Sequence, residues 1–388
     1  MLVRMEVYAH KELASCGNMS LNNSSSLALL AGRRCYAIID LSNPSQPVIR
    51  EGRHSKWEVV CSQWSVQEER NLAVASNNRV EMVRVGEGEL SVTSTLSAHT
   101  RIITDLSWHT QNANLMASSS ADNYIYLWDT RDLRRPKAEL QAVQGASKIE
   151  WNKVSGKLLA STHNGEVKLW DIRKSTSPVQ SIAAHLSRIY SLDWSRDHED
   201  SLATSSQDST VMFWNLANPS KAEATIKTPG APVWQLQHTP FGTGLLTLVV
   251  STVLKGENNL NLWSRTDLRS PINTFYGHTD LVLNFGWRCP RPEDLRTSLV
   301  TWSKDGTLRL WLVFNCSLRD MHLHCLAGRL TLICSESAVK RLKKVIIQGK
   351  RRKYLIREMA SMKRRRPLKR NCTGSRRKME RSLSPPQL

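Results

Sequence analysis

Residues 122–129 read DNYIYLWD: a turn-prone Asp-Asn pair, an alternating apolar run, then Trp128 and an acid. The phrase returns as NGEVKLWD (164–171), DSTVMFWN (208–215), NNLNLWSR (258–265) and DGTLRLWL (305–312). Trp128, Trp170, Trp214, Trp263 and Trp311 therefore stand 42, 44, 49 and 48 positions apart. A strand-period segment recurring at this interval with a Trp-Asp-like ending is the mark of a β-propeller blade. Stepping upstream by about 45 residues, the blade period, lands on Val83 in NNRVEMVRV and then near Ile38 in GRRCYAIIDL. Both are alternating segments behind a turn signal, so two degenerate repeats precede the clear ones.

A second ladder keeps the same step. Trp64, Trp108, Trp151, Trp194, His238 and Trp287 recur at intervals of 44, 43, 43, 44 and 49, each in a short apolar segment upstream of a strand-ending position. Two interleaved ladders predict an all-β, seven-bladed propeller of the WD40 type. A single blade cannot bury both faces, so blades pack on one another and close a ring that hides their edges. The segment Leu2–His10 is expected to supply the outermost strand of the last blade.

Bulk composition agrees with a globular ring followed by something different. Of the 388 residues 40% are hydrophobic and 13 are Trp, ample for a core. The charged start MLVRMEVYAHKELAS is unlike a secretory signal. The longest near-apolar run, Leu245 to Leu254, is too short to span a bilayer. Eight scattered Cys with no CxxC pair suit a reducing compartment and suggest a cytoplasmic protein. Cys316, His322, His324, Cys325 and Cys334 match no standard zinc spacing, so no metal and no cofactor are expected. The net charge of +20 is unevenly placed: residues 340–388 hold 19 of the 54 Lys and Arg and two of the 34 acids, leaving about +3 for residues 1–339. The predicted domains are a propeller over 1–315, an irregular linker over 316–339 and a basic, disordered tail over 340–388.

Three residues keep step with the blades. His99, Asp122 and Trp128 recur as His185, Asp208 and Trp214, and again as His278, Asp305 and Trp311. The His before an inner strand, the Asp of the following turn and the indole are expected to join in a buried hydrogen-bonded chain. Ser118, Thr204 or Thr301 supplies the hydroxyl link. Such sets resemble catalytic triads, but an active site does not repeat in register with a fold, and their predicted role is structural. No phosphate loop, GxGxxG, HExxH or free-standing carboxylate pair is present, so no catalytic residues are assigned and no small-molecule substrate is expected. Some blades depart from the pattern. The fourth has Asn164 for Asp and no matching His before its inner strand, the first two lack the Trp, and the sixth has Asn258 and Asn259 at its turn. Departing blades are expected to be looser and to be where partners dock.

Several stretches are more specific than generic repeat wording, GASKIEWNK (145–153) and TPFGTGLLT (239–247) above all. With SKWEVVCSQW (55–64), AAHLSRIYSLDW (183–194) and GHTDLVLNFGWR (277–288), they make residues 18–313 resemble the WD repeat-containing protein 59 family, propeller subunits of the GATOR/SEA complex. The resemblance implies a non-catalytic scaffold for amino-acid signalling to the target-of-rapamycin kinase, held by other WD-repeat subunits at the lysosomal surface. It further implies a downstream RWD-type domain, helical solenoid and zinc-binding end. None of these is legible here, so the chain reads as a form cut short after the propeller. The competing reading is a nuclear, chromatin- or RNA-associated adaptor. In it the run containing Lys363, Arg364, Arg365, Arg366, Lys369 and Arg370 directs import or binds nucleic acid or another anionic surface.

Overall fold

The computed structural model describes residues 2–314 apart from 53–54, 174–176, 229, 251–257 and 289–296. Seven four-stranded antiparallel sheets follow one another along the chain. Blades 1 to 6 cover residues 18–52, 59–96, 103–141, 148–183, 189–227 and 233–275. Blade 7 takes three strands from 282–314 and its fourth from the chain's start: Leu2–Ala9 pairs along Thr307–Phe314 without a break, Leu2 opposite Phe314 and Ala9 opposite Thr307. The ring is thus closed by the expected segment, and two strand edges are removed together.

Why each blade needs neighbours on both sides follows from strand alternation. On Tyr124–Asp129, Tyr126 and Trp128 point into the cluster shared with blade 2, and Ile125 and Leu127 into the cluster shared with blade 4. One such apolar cluster fills each seam of the ring. Because side chains alternate, the register must be read to the residue. In blade 1 the position facing the preceding seam, as Trp128 does in blade 3, is Ile39, while Ile38 faces the following one. The counted step of about 45, which lands near Ile38, is one residue too long there, and one residue reverses the face.

The second tryptophan ladder has a different task from the first. Its members lie at or next to the ends of the inner strands, and four of them donate the indole N–H to a main-chain carbonyl of the preceding blade. Trp64 reaches Ser20 at 3.2 Å, Trp108 reaches Gln63 at 3.2 Å, Trp151 reaches Ser107 at 3.1 Å and Trp194 reaches Glu150 at 3.0 Å. His238 takes this place in blade 6 and binds the Asp193 carboxylate through both its backbone N–H and Nδ1. Neighbouring inner strands pack closely at every seam except that between blades 6 and 7. There, among the described residues, Trp287 Nε1 and Gln237 Oε1 have no hydrogen-bond partner although both are buried.

Candidate functional site

In blade 3 the expected residues meet. Trp128 Nε1 donates to Ser118 Oγ at 2.8 Å, Ser118 lies 2.8 Å from His99 Nε2, and His99 Nδ1 lies 2.9 Å from Asp122 Oδ2. Asp122 also accepts the backbone N–H groups of Thr100 and Tyr124, which ties the turn to the loop before the inner strand. Blades 5 and 7 repeat this. Trp214, Thr204, His185 and Asp208 are linked at 3.0, 2.8 and 3.0 Å, and Trp311, Thr301, His278 and Asp305 at 2.9, 2.8 and 3.0 Å.

Proton bookkeeping gives each chain one direction. An indole is only a donor and a carboxylate only an acceptor, so a neutral imidazole with its proton on Nδ1 satisfies every member. Electrostatics agree with a neutral ring. Burial pushes His99, His185 and His278 down despite the neighbouring carboxylate, His278 to about 4. Burial opposes the charge of Asp305, but hydrogen bonds from Thr307 and His278 outweigh it and hold the acid at about 2. The hydroxyls of Ser118, Thr204 and Thr301 belong to fully buried residues, beyond the reach of any substrate. The geometry orients loops and offers no nucleophile.

Blade 4 keeps the chain with a substitute that the sequence reading passed over. Trp170 Nε1 donates to Ser161 Oγ at 2.7 Å, Ser161 lies 2.7 Å from His163 Nε2, and His163 Nδ1 lies 2.7 Å from the Gln144 carbonyl. The imidazole comes from the end of a strand rather than from the loop, and the final acceptor is a neutral carbonyl. A legible signal existed: Ser161 and His163 are two apart on one strand and so share a face. In blade 6, among the described residues, Trp263 Nε1 donates to Thr247 Oγ1 at 2.9 Å, and Thr247 in turn donates to the Asn261 carbonyl at 3.4 Å.

A second polar system, also unforeseen, joins the inner strands. Lys148 of blade 4 meets Asp105 of blade 3 at 3.3 Å. Lys153 bridges Glu150 at 3.1 Å and Asp193 of blade 5 at 2.5 Å, and His238 of blade 6 lies on the other Asp193 oxygen at 2.6 Å. Burial pushes the Glu150 carboxyl up, whereas Asp193, between Lys153 and His238, is held well below the carboxylate range despite its burial. This belt fastens blades 3 to 6 side by side. No group of three or more His, Cys, Asp or Glu arranged to hold a metal occurs among the described residues. Cys316, His322, His324, Cys325 and Cys334 lie outside the described residues, as do Lys363, Arg364, Arg365, Arg366, Lys369 and Arg370.

The surface carries the rest. Exposed apolar side chains on the loops and strand ends that follow the turns include Ile102, Val143, Leu186 and Trp234. A cavity of about 500 Å³ opens beside blade 4 between Val143, Gln144, His163, Glu166 and Lys168.

Ring, repeated relays and seams together define a WD40-repeat β-propeller. Residues 90–129 and 176–215 match the WD domain, G-beta repeat family. A chain in the crystal structure of the Mitotic Checkpoint Complex superposes with a TM-score of 0.66 over 80% of this chain and 94% of that one; at 21% identity the likeness is one of fold. More specifically, the propeller resembles that of GATOR2 complex protein WDR59. The chain is 43% identical to the Homo sapiens protein over 76% of its own length and 30% of that protein's. It is 40% identical to Drosophila melanogaster Wdr59 over 79% and 32%. Maintenance of telomere capping protein 5 of Saccharomyces cerevisiae matches at 31% identity over 76% of this chain and 27% of that protein. The chain thus spans about a third of the length of these relatives.

Proposed function

We propose that the chain is a non-catalytic docking subunit which places a propeller in a GATOR2-like assembly and supports amino-acid signalling to the target-of-rapamycin kinase from the lysosomal surface. The observation that carries this reading is the 43% identity to GATOR2 complex protein WDR59 through the propeller. The relays support the non-catalytic part, because their hydroxyls are buried and every member is paired. The partners are other WD-repeat subunits, met through the rim and sides of the ring, with the propeller over residues 1–315, a linker over 316–339 and a basic tail over 340–388. No helix among the described residues is long and apolar enough to cross a membrane; attachment at the lysosomal surface through partners is part of the proposal.

The test is affinity purification of the tagged full chain from cells, with quantitative mass spectrometry. Stoichiometric recovery of WD-repeat complex subunits is the expected result; a chain recovered without them overturns the reading. The charge of residues 340–388 favours one addition, contact with a polyanion through the tail. Affinity for duplex RNA should then fall steeply between about 50 and 200 mM salt, and an unchanged affinity refutes it.

A further inference from the structure

The notch beside blade 4 has a definite structural origin. In blade 3 the imidazole of His99 packs on the ring of Tyr126, with centroids 4.5 Å apart. The strand register puts Lys168 where Tyr126 stands, since Ser161 faces Lys168 as Ser118 faces Tyr126. Val143 falls where His99 does, three residues beyond the buried outer-strand leucine in both cases, Leu140 and Leu96. Two rings are thus exchanged for an aliphatic side chain and a lysine. His163 takes over the hydrogen bond to Ser161 from the strand end but does not refill the volume. Val143, freed of any inward role, is 84% exposed.

The notch lies on a continuous stretch of rim. The Ala121 N–H donates to Ile102, and a Cβ on Gly145 would stand 2.8 Å from the Ala121 Cα, so the turn of blade 3 at Ala121 touches both the loop before blade 3 and the loop before blade 4. Beyond the cavity, the Ile189 N–H donates to Asn164 and the His185 N–H to Gly165, which joins the loop before blade 5. Along this path Ile102, Val143 and Leu186 project apolar groups into solvent, and Arg101 and Arg188 stand exposed at its two ends. No carboxylate among the described residues forms an ion pair with either arginine. Asp122 and Asp208, on the turns of blades 3 and 5, are engaged with His99 and His185.

The geometry points to a peptide-binding site: the upper rim of blades 3 to 5 takes an extended, acidic segment of a partner protein and receives one aromatic side chain in the notch. The incoming ring occupies the space that His99 and Tyr126 fill in blade 3, between the Lys168 stem, Val143 and His163. Glu166 and Gln144 offer acceptors to a phenol hydroxyl. Flanking carboxylates face Arg101 and Arg188. Aromatic anchors in desolvated pockets with rim charges around them are the usual source of affinity and selectivity at such surfaces. This goes beyond membership of any one assembly, since it concerns what this rim recognises.

The probe is a fluorescein-labelled nonapeptide with a central tyrosine and glutamates on both sides, titrated with the full chain and followed by anisotropy at about 50 mM salt, where rim charges are weakly screened. Saturable binding is expected. A central alanine, Arg188→Glu, or the pair Val143→Asp and Leu186→Asp should each weaken it by about tenfold or more, roughly the energy of one rim pair or anchor. Lysines in place of the glutamates should abolish it. Val143 and Leu186 are exposed, so an unchanged melting temperature will show that their variant is folded. Three results overturn the site: no saturation with the acidic peptide up to about 1 mM, a range that still admits weak binders; variants that bind as the parent does; or a lysine peptide that binds equally well. None of them touches the purification test of assembly.

Discussion

Neutral imidazoles at the centre of the relays make the ring sensitive to acid, and blade 7 sets the size of the effect. His278 is buried, with its folded value near 4, against about 6.5 in an unfolded chain. A histidine lowered on folding stabilises the native state fully above its unfolded value and loses that contribution as pH falls toward the folded one. Asp305, held at about 2, stays ionised throughout and drops out of this window. For His278 alone the loss is about 1.4 kcal/mol at pH 5.5 and approaches about 3 kcal/mol below pH 4. His99 and His185 shift in the same direction and add to it. Urea unfolding followed by tryptophan fluorescence at pH 7.5, 6.5, 5.5 and 4.5 measures the slope. His278→Gln, less stable at neutral pH, should have a shallower slope by up to one proton. A stability that is flat from pH 7.5 to 4.5, or a variant whose slope parallels the parent's, refutes the neutral-relay assignment.

Three further outcomes follow from the same contacts. Trp214→Ala removes a buried indole and its 3.0 Å bond to Thr204, and should cost about 3–5 kcal/mol in denaturant unfolding; a wild-type midpoint would deny the relay its role. Gly165→Ala places a Cβ 2.1 Å from the His185 carbonyl oxygen, so the loop must shift. A loss of about 1–3 kcal/mol is expected, the usual cost of overpacking, and an unaltered melting curve would contradict the close approach. Removing residues 1–9 strips the outer strand from Thr307–Phe314 and leaves its edge unpaired. Light scattering should then show association through that edge, whereas a monodisperse, equally stable ring would mean the closing strand is dispensable.

The fold was legible because each seam must be filled by the same kind of residue at the same step. Trp128, Trp170, Trp214, Trp263 and Trp311 are all buried in seams, and any sequence able to close such a ring carries that periodicity. The relays in blades 3, 5 and 7 were legible for the same reason: three copies in register argue for a structural task. Legibility ended where contacts depend on three dimensions rather than on period. Ile39 replaces the counted Ile38 because a degenerate repeat carries no indole to anchor the count. His163 escaped because it enters the relay from a strand end, where no other blade keeps its His. The belt of Lys148, Glu150, Lys153, Asp193 and His238 runs across blades about 43 residues apart, the blade period, and only ring closure brings its members together.

Blade 4 shows why a departure from the repeat suits the docking place proposed there. In a closed ring each blade contacts only its neighbours, so stability is a sum over seams, and a change confined to one blade subtracts little from the whole. The exchange of a loop histidine and a tyrosine for Val143 and Lys168 is of this kind. The buried part of the relay survives it, since Trp170, Ser161 and His163 remain paired at 2.7 Å. What changes is the surface: a carboxylate acceptor becomes a carbonyl, two rings leave, and an aliphatic side chain turns outward over a cavity of about 500 Å³. Blades 5 and 7 keep the loop histidine and carry Met212 and Arg309 where blade 3 has Tyr126, whereas blade 4 loses the loop histidine as well. The proposed recognition therefore uses a departure from the pattern at a position where the fold tolerates it.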